Sequence, residues 1–176
     1  MGSNPTPSAE SPDISGAAEI ATPRKRRPTL KEFEPLIGEW HGEGEIPLVP
    51  PMKISEEAKI ERLGELIVFS AVSEPAEVPD SVSIIGGAPA GEPQPMHYFD
   101  ARGVKRLFMM ALEGSTWKIW RAPGEDWNGP HGPGFNQRFI GEISADGKTI
   151  EGRWERGMGD AGDEWEIDFP INYFRK

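Results

Sequence analysis

The side chains of this chain best suited to gripping a small molecule are aromatic and basic, and they fall on three successive stretches. Trp117, Trp120 and Arg121 lie on the first, Gln137 and Arg138 on the second, and Arg153 and Trp154 on the third. An extended strand turns successive side chains to opposite faces, so Trp117, Ile119 and Arg121 share one face and Trp120 takes the other. Antiparallel neighbours would bring several of these within reach of one another. An arginine beside a tryptophan can bind a carboxylate through paired hydrogen bonds or stack on a planar conjugated ligand. The competing arrangement buries the tryptophans in a core and pairs each arginine with Glu142, Glu151, Glu155 or Glu166 on a solvated face. With 29 acidic residues in the chain, every arginine has such a partner to hand. Tyr98 and His131 complete the candidate ligand-binding set.

Metal and covalent chemistry have little to work with. The three histidines, His41, His97 and His131, are isolated, with no second histidine at helical or strand spacing. His131 sits in Asn128-Gly129-Pro130-His131-Gly132-Pro133-Gly134, a stretch that could lie at an open mouth but reads first as a solvated loop. The absence of cysteine removes disulfide frameworks, thiolate zinc sites, iron–sulfur clusters and thiol nucleophiles together. No nucleophile elbow, phosphate-binding loop or dinucleotide-binding glycine pattern is present. Gly157-Met158-Gly159-Asp160-Ala161-Gly162-Asp163 lacks the Lys-Ser/Thr of a phosphate loop and the acidic spacing of a calcium loop, and reads as a hairpin connection. No cofactor is expected.

Charge narrows the partners. A net charge of −10 opposes nucleic acid, whose phosphates are met by basic patches. The basic run Arg24-Lys25-Arg26-Arg27 lies in the N-terminal tail and reads as a solvated flank. The longest apolar runs, Leu66 to Phe69 and Leu107 to Leu112, fall far short of the roughly twenty residues that span a bilayer. The N-terminus has no apolar signal-peptide core, and Met1-Gly2-Ser3-Asn4-Pro5-Thr6 fits a myristoylation pattern only formally. The expectation is a soluble cytoplasmic protein whose partner is a small molecule rather than nucleic acid or membrane, with a homodimer left open.

The elements that must position the candidate residues are strands. Residues 1–30 are rich in Pro, Ser, Ala, Thr and Gly and have too few large apolar side chains to offset ordering, so they are expected to be a disordered tail. Lys31 to Ile37 suggests a short helical turn that leads into the domain, residues 31–176. Strands are then expected at Gly38–Ile46, Met52–Leu63 and Leu66–Ser73. A Pro/Gly-rich interruption over 74–95 leaves room for a short strand at Ser81–Ile85. Met96–Ala101, Arg106–Leu112, Thr116–Ala122, Phe135–Ser144, Thr149–Arg156 and Glu164–Phe174 follow, with glycine turns between several of them. In the last segment Trp165, Ile167, Phe169, Ile171 and Tyr173 alternate with Glu164, Glu166, Asp168 and Asn172, which predicts a strand buried on one face. The fold class is therefore all-β, an antiparallel up-and-down barrel of about eight or nine strands. Closure removes the exposed edges that invite aggregation. A two-sheet sandwich is the alternative.

The segment Pro35-Leu36-Ile37-Gly38-Glu39-Trp40-His41-Gly42-Glu43-Gly44-Glu45 resembles the opening strand of nitrobindin-like and related calycin (lipocalin-like) barrels, in a Gly-x-Trp-x-Gly-x-Gly pattern carried by Gly38, Trp40, Gly42 and Gly44. The rest, from Met96-His97-Tyr98-Phe99-Asp100 through Gly152-Arg153-Trp154-Glu155 to Tyr173-Phe174-Arg175, is similar to bacterial barrels carried as a domain of unknown function. The resemblance spans about residues 33–176 and implies a lipocalin-like barrel. Trp40 would plug the closed end, with the glycines letting backbones approach. Nitrobindins hold haem through a histidine near the C-terminus, and this chain has none after His131. Tyr173 is a conceivable axial ligand but reads as a packing or rim residue, so haem is not carried over.

Three functions remain in play. The first is binding of a small hydrophobic or amphipathic molecule between aromatic walls. The second is a cofactor-independent cyclase, isomerase or hydrolase that uses Tyr98, Asp100, Arg121 or His131 as acid–base or orienting groups. The third is a filled barrel that serves as an interaction module.

Overall fold

A computed structural model describes residues 30–125, 135–158 and 164–176. A 3₁₀ helix, Lys31–Leu36, is followed by ten strands: β1 (Gly38–Ile46), β2 (Met52–Leu63), β3 (Leu66–Glu74), β4 (Ser81–Ile85), β5 (Gln94–Asp100), β6 (Lys105–Glu113), β7 (Thr116–Arg121), β8 (Asn136–Ile143), β9 (Thr149–Met158) and β10 (Glu164–Arg175). Each strand pairs antiparallel with its sequence neighbour, and β1 pairs with β10 to close the barrel. The architecture is the expected up-and-down barrel rather than a sandwich. Ten strands replace the expected eight or nine because the five-residue β4 is a full stave, in register with β3 and β5 along its whole length. The tail segment 1–29 and the His131 loop fall outside the described residues.

The interior alternation works as a period of two should. Ile54, Ala58 and Ile60 of β2, Ile67 and Ala71 of β3, and Met96, Phe108, Met110, Trp117 and Ile119 of the following strands are buried. At one end the barrel is stoppered. Leu30, Phe33 and Leu36 of the helical segment are almost fully buried and pack with Trp40, Ile60, Ile67 and Ile85. Trp40 is 1% exposed, its indole N–H donates to the Leu36 carbonyl at 2.9 Å, and the Arg175 guanidinium lies 4.1 Å from its ring centroid. Trp40 thus occupies the plugging position. Gly42 and Gly44 have a steric reason to lack side chains. A Cβ on Gly42 would lie 2.9 Å from the Tyr173 ring, and one on Gly44 would lie 2.7 Å from the Pro170 carbonyl oxygen.

The last strand departs from the alternation expected of it. A bulge between Ile167 and Phe169 shifts its pairing with β9. Phe169 (opposite Trp154), Ile171 and Tyr173 point inward, whereas Ile167 is 61% exposed and Trp165 lies outside under the Arg138 guanidinium, 4.0 Å away. One extra residue in a strand reverses every side chain on one side of it. On the outer surface of β3, β4 and β5, Val72, Val82, Ile84 and Phe99 are exposed. No helix among the described residues is long and apolar enough to cross a membrane.

Candidate functional site

Above the stoppered end the barrel keeps a cavity of about 230 Å³. Its apolar wall is built by alternate residues of nearly every strand, principally Phe69, Met96, Phe108, Trp154 and Phe169. The rings meet edge-on or tilted: Tyr98 and Phe108 have centroids 5.9 Å apart, Phe108 and Trp154 6.3 Å, and Trp154 and Phe139 5.6 Å. The volume lies below the usual range for ligand pockets, about 300–1,000 Å³.

Charged groups enter this lining at two places, while Ser81, Ser83 and Gln137 add polar side chains elsewhere. Glu56 of β2 stands on the inward face between Ile54 and Ala58, where the pattern otherwise calls for an apolar residue. The Tyr173 hydroxyl donates to Glu56 Oε1 at 3.0 Å, and the Ser73 hydroxyl reaches Oε2 at 3.5 Å. Burial pushes the Glu56 carboxyl above the ordinary carboxylate range, and the two hydroxyls only partly offset this. The Tyr173 phenol is driven well up by its own burial and by the neighbouring Glu56, so it stays a donor.

The second place is the wall made by β5, β6 and the turn between them. Tyr98, Arg102 and Arg106 all line the cavity, and Tyr98 and Arg106 are directly opposite in the β5–β6 register. Asp100 holds the first two. Its side chain is fully covered and accepts from the Tyr98 hydroxyl at 3.1 Å, from Arg102 Nε at 3.1 Å and from Arg102 Nη2 at 2.6 Å. The backbone N–H groups of Arg102 and Val104 also donate to it, at 2.9 and 3.2 Å. Burial alone would raise the Asp100 carboxyl, but these donors outweigh it and hold the group below its ordinary value. Burial, reinforced by the Asp100 charge, lifts the Tyr98 phenol far above the ordinary tyrosine range. Arg106 is half-buried, and desolvation lowers its pKa.

The candidate residues read from the sequence separate into three groups. Tyr98, Gln137 and Trp154 line the cavity together. Trp117 faces inward but lies below the cavity, 2% exposed, between the rings of Phe69, Phe139 and Tyr173. Arg121 follows it on β7 and is held by Asn136 Oδ1 at 3.0 Å and by the Glu125 carbonyl. Trp120 and Arg138 are register partners on the outer surface. There Arg138 donates to Glu155 at 2.6 Å and Arg153 donates to the same carboxylate at 2.6 Å. This is the arginine–glutamate pairing weighed above, with the shared Glu155 carboxylate covered by its two partners and only 6% exposed. His131 lies outside the described residues. Glu56, Arg102 and Arg106 were not singled out from the sequence. The signal for Glu56 was present: Met52, Ile54, Ala58 and Ile60 alternate strictly, and an acid occupies the missing member of that series.

The haem implied by the nitrobindin resemblance does not fit these residues. His41 is on the outside, hydrogen-bonded to Glu57 at 2.9 Å and Glu43 at 3.2 Å, and His97 is exposed. The Tyr173 hydroxyl is committed to Glu56, and the cavity is small. Among the described residues no group of three or more His, Asp or Glu side chains could hold a metal ion.

The fold and cavity together define the class: a closed, ten-stranded, antiparallel up-and-down β-barrel, stoppered at one end and hollow toward the other. No protein-family model matches the sequence, and no curated protein matches it. Chains of solved structures do match by fold, 16 in all. One is Rv2717c from M. tuberculosis, which superposes with a TM-score of 0.58 at 12% identity, covering 85% of this chain and 98% of that one. At that identity the likeness shows the fold alone.

Proposed function

We propose that the protein binds a small amphipathic molecule inside the barrel. The observation that carries this reading is the cavity itself: apolar on the larger part of its lining, with five aromatic side chains, charged at two defined places, and backed by a close-packed plug. A barrel built only as a scaffold would be filled to the end, because voids forfeit packing contacts. Acid–base chemistry on the bound molecule is a second reading, favoured by Glu56, a carboxyl that keeps its proton to higher pH because it is enclosed.

The test is native mass spectrometry with an absorption spectrum on protein purified from its own host. A bound organic mass that is lost on denaturation, and lowered in occupancy by Trp154→Ala, is the expected result. A pair of masses related by a simple rearrangement or hydrolysis would point to the catalytic reading. An empty, colourless protein would favour the scaffold and overturn binding, and a Soret band would restore haem.

A further inference from the structure

We propose that the outer face of β3, β4 and β5 pairs with the same face of a second copy of this chain, about a two-fold axis through β4. Alternate residues of these strands line the cavity, so the residues between them form one surface outside it. The register fixes the rows of that surface. Val68 of β3 stands beside Ile84 of β4, and Ile84 beside His97 of β5. In the next row Ser70, Val82, Phe99 and Lys105 follow one another from β3 to β6. Val72, Val82, Ile84 and Phe99 are each 38% exposed or more, large apolar side chains left to water on adjacent strands. Scattered apolar residues are ordinary on a surface, but contiguous ones mark an interaction site.

Charge selects a second copy as the partner. With each chain at −10, two copies repel wherever acids point outward. Glu39, Glu43 and Glu45 do so on β1, and Glu142 and Glu151 on β8 and β9. The outward positions from Val68 to Val72, across β4 and β5, and from Lys105 to Met109 hold no acid at all, in a chain with 29 of them. Here two copies can touch without setting like charge against like. The flanks of the face also match each other. β2 borders it with Glu57, Lys59 and Glu61, a net acidic edge, and β6 borders it with the exposed Lys105. Glu57 already meets His41 and Lys176, and Glu61 meets Lys59 at 2.8 Å, but both carboxylates are half-exposed and open to a further cation. β4 is the middle strand of the run from β2 to β6. A two-fold axis through it therefore lays the Lys105 edge of each copy over the acidic edge of the other, and Val82 and Ile84 over their own counterparts. A partner of different sequence would need no such match between two edges of one face.

Light scattering on the full chain across a wide concentration range, together with disulfide trapping, tests the pairing. Wild type should reach twice the mass of one chain, and Phe99→Asp should return it to one, with a melting curve confirming the fold. Lys105→Glu should weaken the pair, and Glu61→Lys in the same chain should restore it. The chain has no cysteine, so Ile84→Cys places a single thiol at the axis, where mild oxidation should link two copies quickly. Val49→Cys, fully exposed on the β1–β2 connection, should link them far more slowly. A monomer at every concentration overturns the proposal. So does a dimer that survives Phe99→Asp in folded protein, or trapping at Ile84 no faster than at Val49. A charge swap that fails to restore the pair overturns the axis through β4.

Discussion

At the scale of single residues, two side chains illustrate what a sequence discloses and what it hides. Trp40 is legible because its flanking glycines and its place before a strand leave little else for it to do, and it sits 1% exposed in the plug. Trp40→Ala should cost about 3–5 kcal/mol, as for other buried large aromatics, measured by denaturant unfolding. Glu56 hides because acids are common in this chain and only its position in an alternation marks it. Its raised pKa makes a signed prediction. The folded state holds the proton where the unfolded chain, titrating near 4.5, has released it. The protonated form's contribution to stability is complete below that value and is lost as pH rises through the folded pKa. Glu56→Gln, which keeps the acceptor for Tyr173, should therefore melt higher than wild type above that window. The gap should close as pH falls below about 4.5. A constant gap across the whole range would show that burial of the charge is not the cause.

Among the elements, strand positions were legible and strand facing was only partly so. Alternation placed β2 and β7 correctly, because each keeps one register over its length. It failed in β10, where Trp165 and Ile167 are as apolar as Phe169 and nothing in their types announces the bulge that turns them outward. The candidate site suffered for a related reason. Arginine and tryptophan are equally at home on either face of a strand, so Arg138 and Trp120 could not be told from Gln137 and Trp154 by composition. The 3₁₀ helix depends on a residue far along the chain. Arg175 donates to the carbonyls of Ile37 at 2.8 Å and Pro35 at 2.5 Å, and to Gly147 at 2.8 Å. Arg175→Ala should destabilise the protein by about 2 kcal/mol, in line with hydrogen bonds to a charged group. Hydrogen exchange should show the loss concentrated in residues 33–40. A uniform loss of protection would mean that the helix is not separately fastened.

For the whole molecule, the closed barrel was legible because eight or nine short strands with brief turns have few other ways to hide their edges. The cavity was not, since its existence depends on how far the plug fills the interior. Residues 1–28 are poor in large apolar side chains, so their removal should leave the melting temperature unchanged within error, by calorimetry; a clear drop would make the tail part of the fold. The seam between β1 and β10 has a consequence in time. Trp40 pairs with Arg175 and Gly44 with Ile171, partners at nearly opposite ends of the described chain. A nascent chain emerging from the ribosome can assemble its hairpins in order, yet the first and ninth strands stay open at their edges until the tenth has been made. Loop-closure entropy of that length slows the final step, and during it the incomplete sheet is the species that a chaperone or a neighbouring chain would meet.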